Sequence, residues 1–332
     1  MATVAVFIPI LLHLQSVNRR LIFVQIFNIQ MNTLLIVILA IIVAEYFLDL
    51  LLDYLNKKAW SDQVPKDLED VYPVEKFENH KRYRKANDAF GLVSDGFNII
   101  LIISILLLGG FAFVDGLAAG ISTNPIWRAL LFMGILGLAS TIVHLPFSWY
   151  STFVIETKFG FNKTTPATFW LDLVKGLLLG AIIGGPLFAL IIWFYQLTGN
   201  LFWVYAWALM AFFTIFMSMF YTSLILPLFN KQKPLEDGEL RQAIEQFSLK
   251  AGFKLDNIFV MDGSKRSTKA NAFFSGLGPR KRIVLYDTLI NDLTTNEIVA
   301  VLAHEVGHYK LKHTLWGTLM GIAQMGAILF VF

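Results

Sequence analysis

The sequence predicts an α-helical polytopic membrane protein that carries one small α+β segment. Three observations lead there. The chain of 332 residues is 56% hydrophobic and only 15% charged, with a mean hydropathy of +0.61, well outside the range of soluble domains. Its apolar residues fall in long runs instead of being spread along the chain. One stretch between runs, residues 230–295, mixes helical and strand patterns with many charges.

The elements follow in chain order. Residues 1–30 read as a poorly ordered N-terminal extension. The apolar run 7–14 is short, and Arg19 and Arg20 come after it, whereas a signal peptide carries its positive charges first. Residues 31–229 read as a five-helix transmembrane region. The apolar runs 34–52, 99–114, 130–145, 173–195 and 201–229 approach or exceed the ~20 helical residues that cross ~30 Å of hydrocarbon. Residues 230–313 read as a soluble segment on one side of the membrane. Within it, 237–251 fits an amphipathic helix, 257–261 and 282–286 fit strands, and Gly276-Leu277-Gly278-Pro279 fits a turn. Residues 314–332 read as the start of a sixth transmembrane helix.

The loop charges assign sides. Lys57, Lys58, Lys66, Lys76, Lys81, Arg82, Arg84 and Lys85 crowd the first loop, and Lys158 and Lys163 mark the third. Loops 118–125 and 197–200 have no Lys or Arg, and the segment from Lys231 to Lys312 has many. The positive-inside rule puts the odd loops, and with them residues 230–313, on the cytoplasmic side. The chain has no cysteine, which excludes disulfides and thiolate chemistry. A net charge of +3, with the basic residues in loops, reflects topology and not nucleic-acid binding.

The chemistry is concentrated in AHEVGHYKLKH, residues 303–313. Thr294 and Glu297 fit a capping box, so His304 and His308 lie well inside a helix. Four residues advance about 400°, which sets both imidazoles on one face, a turn apart, as two ligands of one tetrahedral Zn²⁺ require. Glu305, about 100° round from His304, is placed to take a proton from an attacking water. His313 is a tempting third ligand. However, residues 309–312 contain no glycine, and on a continuous helix His313 lies about 180° from His304. It therefore reads as an interfacial histidine.

Several stretches together resemble the Ste24 family of membrane zinc proteases, also called type 1 CAAX prenyl proteases, of the M48 group. They are FVIETKFGFNKTT (153–165), LPLFNKQKPLEDGEL (226–240) and GSKRSTKANAFFSGLGPRKRIVLYDTL (263–289), followed by AHEVGHYKLKH. The resemblance implies seven transmembrane helices, about six of them present here, around a hydrated chamber. It implies one Zn²⁺ per chain, held by His304, His308 and a glutamate expected beyond Phe332, since no Asp, Glu or His follows His313. Asp287 is the upstream carboxylate that could replace it. The chain is thus expected to be inactive alone. The resemblance also implies that Asn271 and Ala272 sit on an edge strand to which a peptide substrate adds as a further strand.

Glu45, Asp49 and Asp53, four residues apart on the first helix, form an acidic stripe. Carboxylates at membrane depth face water or a partner. Glu45 and Asp49 are therefore expected to line the chamber, the alternative being an ion pair such as Glu45 with Lys175. His144 and the Asp172–Lys175 pair raise the same question. Trp193, Trp203 and Trp207 read as interface anchors.

The functional expectation is an integral-membrane zinc endopeptidase acting on a peptide or protein substrate. In eukaryotes the family removes the last three residues of prenylated CAAX proteins. A compact protein with short loops favours a bacterial inner membrane over the endoplasmic reticulum, with membrane-protein quality control as the other substrate class. A non-enzymatic channel or transporter with an acidic pathway is the rival. It leaves HExxH without a role, and metal analysis with and without His304→Ala separates the two.

Overall fold

The computed structural model describes residues 33–60, 63–64, 72–252, 257–276 and 282–331. The extension expected over residues 1–30 and most of the expected turn at 277–279 lie outside these. The chain divides into two compact units, Met1–Thr123 with Leu131–Val143, and Asn124–Leu130 with His144–Phe332. Five helical stretches among the described residues are long and apolar enough to cross a membrane, and the protein is an integral membrane protein.

The first unit holds α1 (Thr33–Ala59), α2 (Val74–Leu107), α3 (Gly110–Ile121) and the middle of α4 (Pro125–Tyr150). Helix α2 begins 25 residues before the apolar run expected at 99–114, so Lys76, Lys81, Arg82, Arg84 and Lys85 are helical and not in a loop. Lys, Glu, Arg and Ala are strong helix formers, and they extend the helix past the apolar part. Near its start Arg84 lies 3.7 Å over the Trp60 ring, and Asp88 pairs with Lys57 at 3.7 Å. The same run ends early at its other side. Gly109 takes φ 70, which breaks it into α2 and α3.

The second unit holds both ends of α4, then α5 (Pro166–Leu179), α6 (Gly185–Thr198), α7 (Phe202–Leu224) and α8 (Leu226–Phe229). Asn124 caps α4 by accepting from the Ile126 and Trp127 amides, and Thr165 caps α5 through the Thr168 amide. Wider π turns occupy Ser151–Glu156 and Gly180–Gly184. The helical stretch Pro166–Phe229 runs 64 residues. Straight, it would reach about 96 Å at 1.5 Å per residue, some three bilayer cores. It turns back at Gly199, φ 52, and α6 and α7 then pack against each other.

The soluble part of this unit is a four-stranded sheet in the order β1-β2-β4-β3, with α9 (Glu239–Lys250), α10 (Asp287–Asp292) and α11 (Thr295–Lys310). The strands are β1 (Gln232–Pro234), β2 (Ile258–Met261), β3 (Ala272–Ser275) and β4 (Arg282–Tyr286). Strands β2 and β4 are parallel, with Ile258 opposite Ile283. Strands β3 and β4 are antiparallel, with Ala272 opposite Leu285. Three consecutive residues of β4, Ile283, Val284 and Leu285, are fully buried, as expected of a central strand covered on both faces. Ile283 and Leu285 join Ile244, Ile258, Leu289, Ile298 and Leu302 in the core cluster, each large side chain contributing roughly 1.5–3 kcal/mol on burial.

Helix α12 (His313–Val331) returns to the membrane and packs on α7. The Trp207 indole donates to the Ile322 carbonyl at 2.8 Å. Gly326 is required beneath that ring, because a Cβ there would stand 2.9 Å from its nitrogen.

Candidate metal centre and substrate strand

Helix α11 carries the core on one face and the chemistry on another. Ile298, Leu302 and Val306, spaced by four, are each 2% exposed or less. His304 and His308 lie on the exposed side and Glu305 is half-buried. The start of the helix is fixed by the expected capping box. Glu297 Oε2 accepts from the Thr294 amide at 2.8 Å and its hydroxyl at 2.7 Å. The Thr294 amide bond, and after it the hydroxyl bond, holds the Glu297 carboxyl below its usual range.

The two imidazoles converge. His304 Nε2 and His308 Nε2 are 3.0 Å apart. Two nitrogens ~2.0–2.1 Å from one tetrahedral Zn²⁺ stand about 3.3–3.4 Å from each other, so the rings need part by only a few tenths of an ångström. This pair fits two ligands of a metal centre. Among the described residues no group of three His, Cys, Asp or Glu is gathered as a metal would need. Asp287 is not gathered with the histidines into such a group. Its carboxylate accepts the Ser264 amide at 2.8 Å and the Ser264 hydroxyl in a short bond, and it also takes the Thr288 amide.

The expected continuous helix through 309–312 is overturned. Leu311 still donates to the Gly307 carbonyl, and Trp316 already donates to Lys312. Between them Lys312 takes φ 57, the left-handed region, without being glycine. That conformation costs an L-residue roughly 1–2 kcal/mol, which a single residue can bear. The turn brings His313 back, so that its Nδ1 lies 2.8 Å from His308 Nδ1. His313 reaches the ring nitrogen of His308 that faces away from His304, and it does not join the pair at Nε2.

Strand β3 stands at the sheet edge and packs against α11. The Tyr286 amide donates to the Asn271 carbonyl at 3.0 Å. Backbone groups alternate sides along a strand, so Asn271 faces β4, whereas Ala272 turns its N–H and C=O groups away from β4. The Ala272 amide is held meanwhile by the Asn271 side chain, 2.9 Å away. Of the two residues singled out in sequence, Ala272 offers the edge groups and Asn271 covers one of them.

A polar clamp that sequence reasoning missed ties this segment to the membrane helices. Arg266 forks onto Asp172 of α5 at 2.7 and 2.8 Å. It also donates to the Phe229 carbonyl at 2.9 Å and to Asn230 Oδ1 at 3.1 Å. Asn230 in turn donates to the Asp262 carbonyl and carboxylate. Nearby, Lys269 pairs with Glu156 at the end of the π turn, at 2.9 Å. The expected Asp172–Lys175 pair gives way to these contacts, and Lys175 donates to the Leu228 carbonyl instead. Glu45 and Asp49 are exposed on α1 in the first unit, and His144 is half-buried in α4 two residues before Pro146.

Comparison with known proteins matches two successive families along the chain. Residues 53–231 match the family described as CAAX prenyl protease N-terminal, five membrane helices, and residues 234–332 match peptidase family M48. The chain is 41% identical over 261 residues to a CAAX prenyl protease 1 homolog of Arabidopsis thaliana, covering 76% of this chain and 62% of that one. It is 37% identical over 286 residues to CAAX prenyl protease 1 of Saccharomyces cerevisiae, covering 82% and 62%. The chain thus spans about three fifths of the length of these relatives. The crystal structure of S. mikatae Ste24p superposes with a TM-score of 0.83 at 37% identity, covering 90% of this chain and 72% of that one.

Proposed function

The chain belongs to peptidase family M48, and from that premise we propose that it is an integral-membrane zinc endopeptidase of the CAAX prenyl protease type. The observation that carries the reading is the convergence of His304 Nε2 and His308 Nε2 to 3.0 Å on the exposed face of α11, with Glu305 next to them and edge strand β3 packed on the same helix.

His304 and His308 would supply two of the ligands of the metal. When bound, Zn²⁺ polarises the scissile carbonyl and acidifies the attacking water. Glu305 takes the proton of that water and returns it to the leaving amine. Ala272 pairs its outward N–H and C=O groups with the substrate main chain. Such pairing supplies affinity without reading side chains, which suits the varied tails of protein substrates. The Asn271 carboxamide must swing off the Ala272 amide as the peptide enters. The substrates proposed are prenylated proteins with a CAAX terminus, as the relatives' names indicate. Glu45 and Asp49 are proposed to face a hydrated chamber, where their charge is solvated.

The Lys/Arg bias of the loops supports a cytoplasmic placement of the soluble segment. The relatives named above are from a plant and a yeast. The bacterial placement therefore has no support from them, and an internal membrane of a eukaryotic cell is the reading adopted.

Glu305→Gln tests the assignment in the protein expressed from its complete reading frame. It should keep its zinc and lose at least ~10²-fold in turnover, the low end for loss of a general base. Turnover near that of the unsubstituted enzyme would remove the role given to Glu305.

A further inference from the structure

His313 has no role in the chemistry above, yet the chain takes an unfavourable backbone conformation to place it. Strain at a single well-determined residue tends to mark sites where geometry matters. Lys312, at φ 57, is the only non-glycine residue with positive φ among the described residues. It lies in the two-residue joint between α11 and α12, where Leu311 still donates to the first helix and Lys312 already accepts from the second. The outcome of that joint is the 2.8 Å approach of His313 Nδ1 to His308 Nδ1, with the rings edge to face at 4.9 Å between centroids.

We propose that His313 is a positioning residue for the metal ligand His308, an inference that rests on the metal-site reading above. The argument is one of proton placement. His308 presents Nε2 towards His304. For that nitrogen to offer a lone pair, the proton of the neutral ring must sit on Nδ1. A proton there needs an acceptor, and the atom 2.8 Å away is His313 Nδ1. His313 accepts through Nδ1 and keeps its own proton on Nε2. The contact fixes the tautomer of His308, holds its ring plane and raises the basicity of Nε2. Outer partners of ligating histidines act in this way, and losing one typically costs about 10–100-fold in metal affinity. Such partners are usually a carboxylate or a carbonyl. Here the group at that position is a second histidine.

The test uses zinc binding as its readout, by competition with a chelator on the purified protein expressed from its complete reading frame. His313→Leu fills similar space without an acceptor, and His313→Asn puts a carboxamide oxygen close to where Nδ1 was. His304→Ala serves as the control for the site itself. The expected results are near-complete loss of stoichiometric zinc in His304→Ala and roughly tenfold or greater weakening in His313→Leu. His313→Asn should stay within about threefold of the unsubstituted protein. The visible spectrum of bound Co²⁺ should broaden in His313→Leu and be restored in His313→Asn. Undiminished zinc in His304→Ala would overturn the metal-site reading, and this inference with it. Loss in His304→Ala with unchanged affinity in His313→Leu would overturn the positioning role alone. Equal weakening in Leu and Asn variants would do the same, because packing and not the acceptor would then be what matters.

Discussion

The Arg266 clamp can be dissected by a double-mutant cycle with Arg266→Met, Asp172→Leu and the pair together. Arg266 makes two charge-assisted bonds to Asp172 and two further bonds to Phe229 and Asn230. The Arg and Asp side chains are 22% and 25% exposed. Breaking a fully buried pair from one side costs ~3–5 kcal/mol, because a charge is left without its partner. Partial exposure lets water replace some of that loss, so Arg266→Met should cost about 2–3 kcal/mol. Asp172→Leu leaves the guanidinium with Phe229 and Asn230, and should cost about 1–2 kcal/mol. The double variant, with neither charge left stranded, should be less destabilised than the sum by about 1–2 kcal/mol. The assay is the denaturant midpoint in detergent micelles, with the metal-loaded state held constant across all four proteins. Strict additivity would show that the fork contributes no pairwise energy, and the clamp would not be what seats the soluble segment on α5.

Two other substitutions probe the site directly. Ala272→Pro removes an amide that faces the free edge and should raise KM by roughly 3–10-fold, the equivalent of one lost main-chain bond. Asn271→Pro removes an amide that faces β4 and should show mainly as lost stability. If the two effects were exchanged, the orientation derived for β3 would be wrong. Glu297→Gln addresses the cap of α11. Because hydrogen bonds from Thr294 depress the Glu297 carboxyl below its ordinary value of 4.5, its stabilising contribution is complete above that value and fades as the pH falls through the lower, folded-state value. The gap in thermal midpoint between the parent and Glu297→Gln should therefore close in acid, and a gap that widened on acidification would contradict the capping assignment.

Features that depend on local pattern were legible in the sequence. The apolar runs gave the membrane class, Thr294 and Glu297 marked the start of α11, and the spacing of His304 and His308 placed both on one face. Strands expected at 257–261 and 282–286 appear as Ile258–Met261 and Arg282–Tyr286. Features that depend on distant partners were not legible. Arg266 and Asp172 are 94 residues apart, and neither residue's neighbours point to the other. Strand β1 is three residues long and ends in proline, too short and too polar to carry an alternation. The break at Lys312 was misread for a different reason. Glycine is the usual signal for a left-handed residue, so its absence suggested an unbroken helix. The penalty for another residue there is small enough for contacts on either side to outweigh it. The sequence reading made His313 an interfacial histidine, and the 2.8 Å approach to His308 was not foreseen.

The site and the core are joined through α11. Its buried residues, 298, 302 and 306, recur every four positions, and so do its two candidate ligands, 304 and 308. Two rows with the same spacing on one helix stay at a fixed angle, so seating Ile298 and Leu302 in the core also aims the histidines. Two further contacts then set the remaining freedom. At one end the Thr294–Glu297 box fixes where the helix begins. At the other the Lys312 turn brings His313 against His308, just before α12 enters the membrane. The soluble sheet is fastened to α5 by Arg266 and to the π turn after α4 by Lys269 and Glu156. Edge strand β3 follows Arg266 and Lys269 within a few residues, so those two ion pairs also limit where the strand can lie relative to α11. On the function proposed above, a substrate strand added to β3 would meet the histidine pair with little rearrangement of the backbone, and preorganisation of this kind is where an enzyme site gains much of its rate.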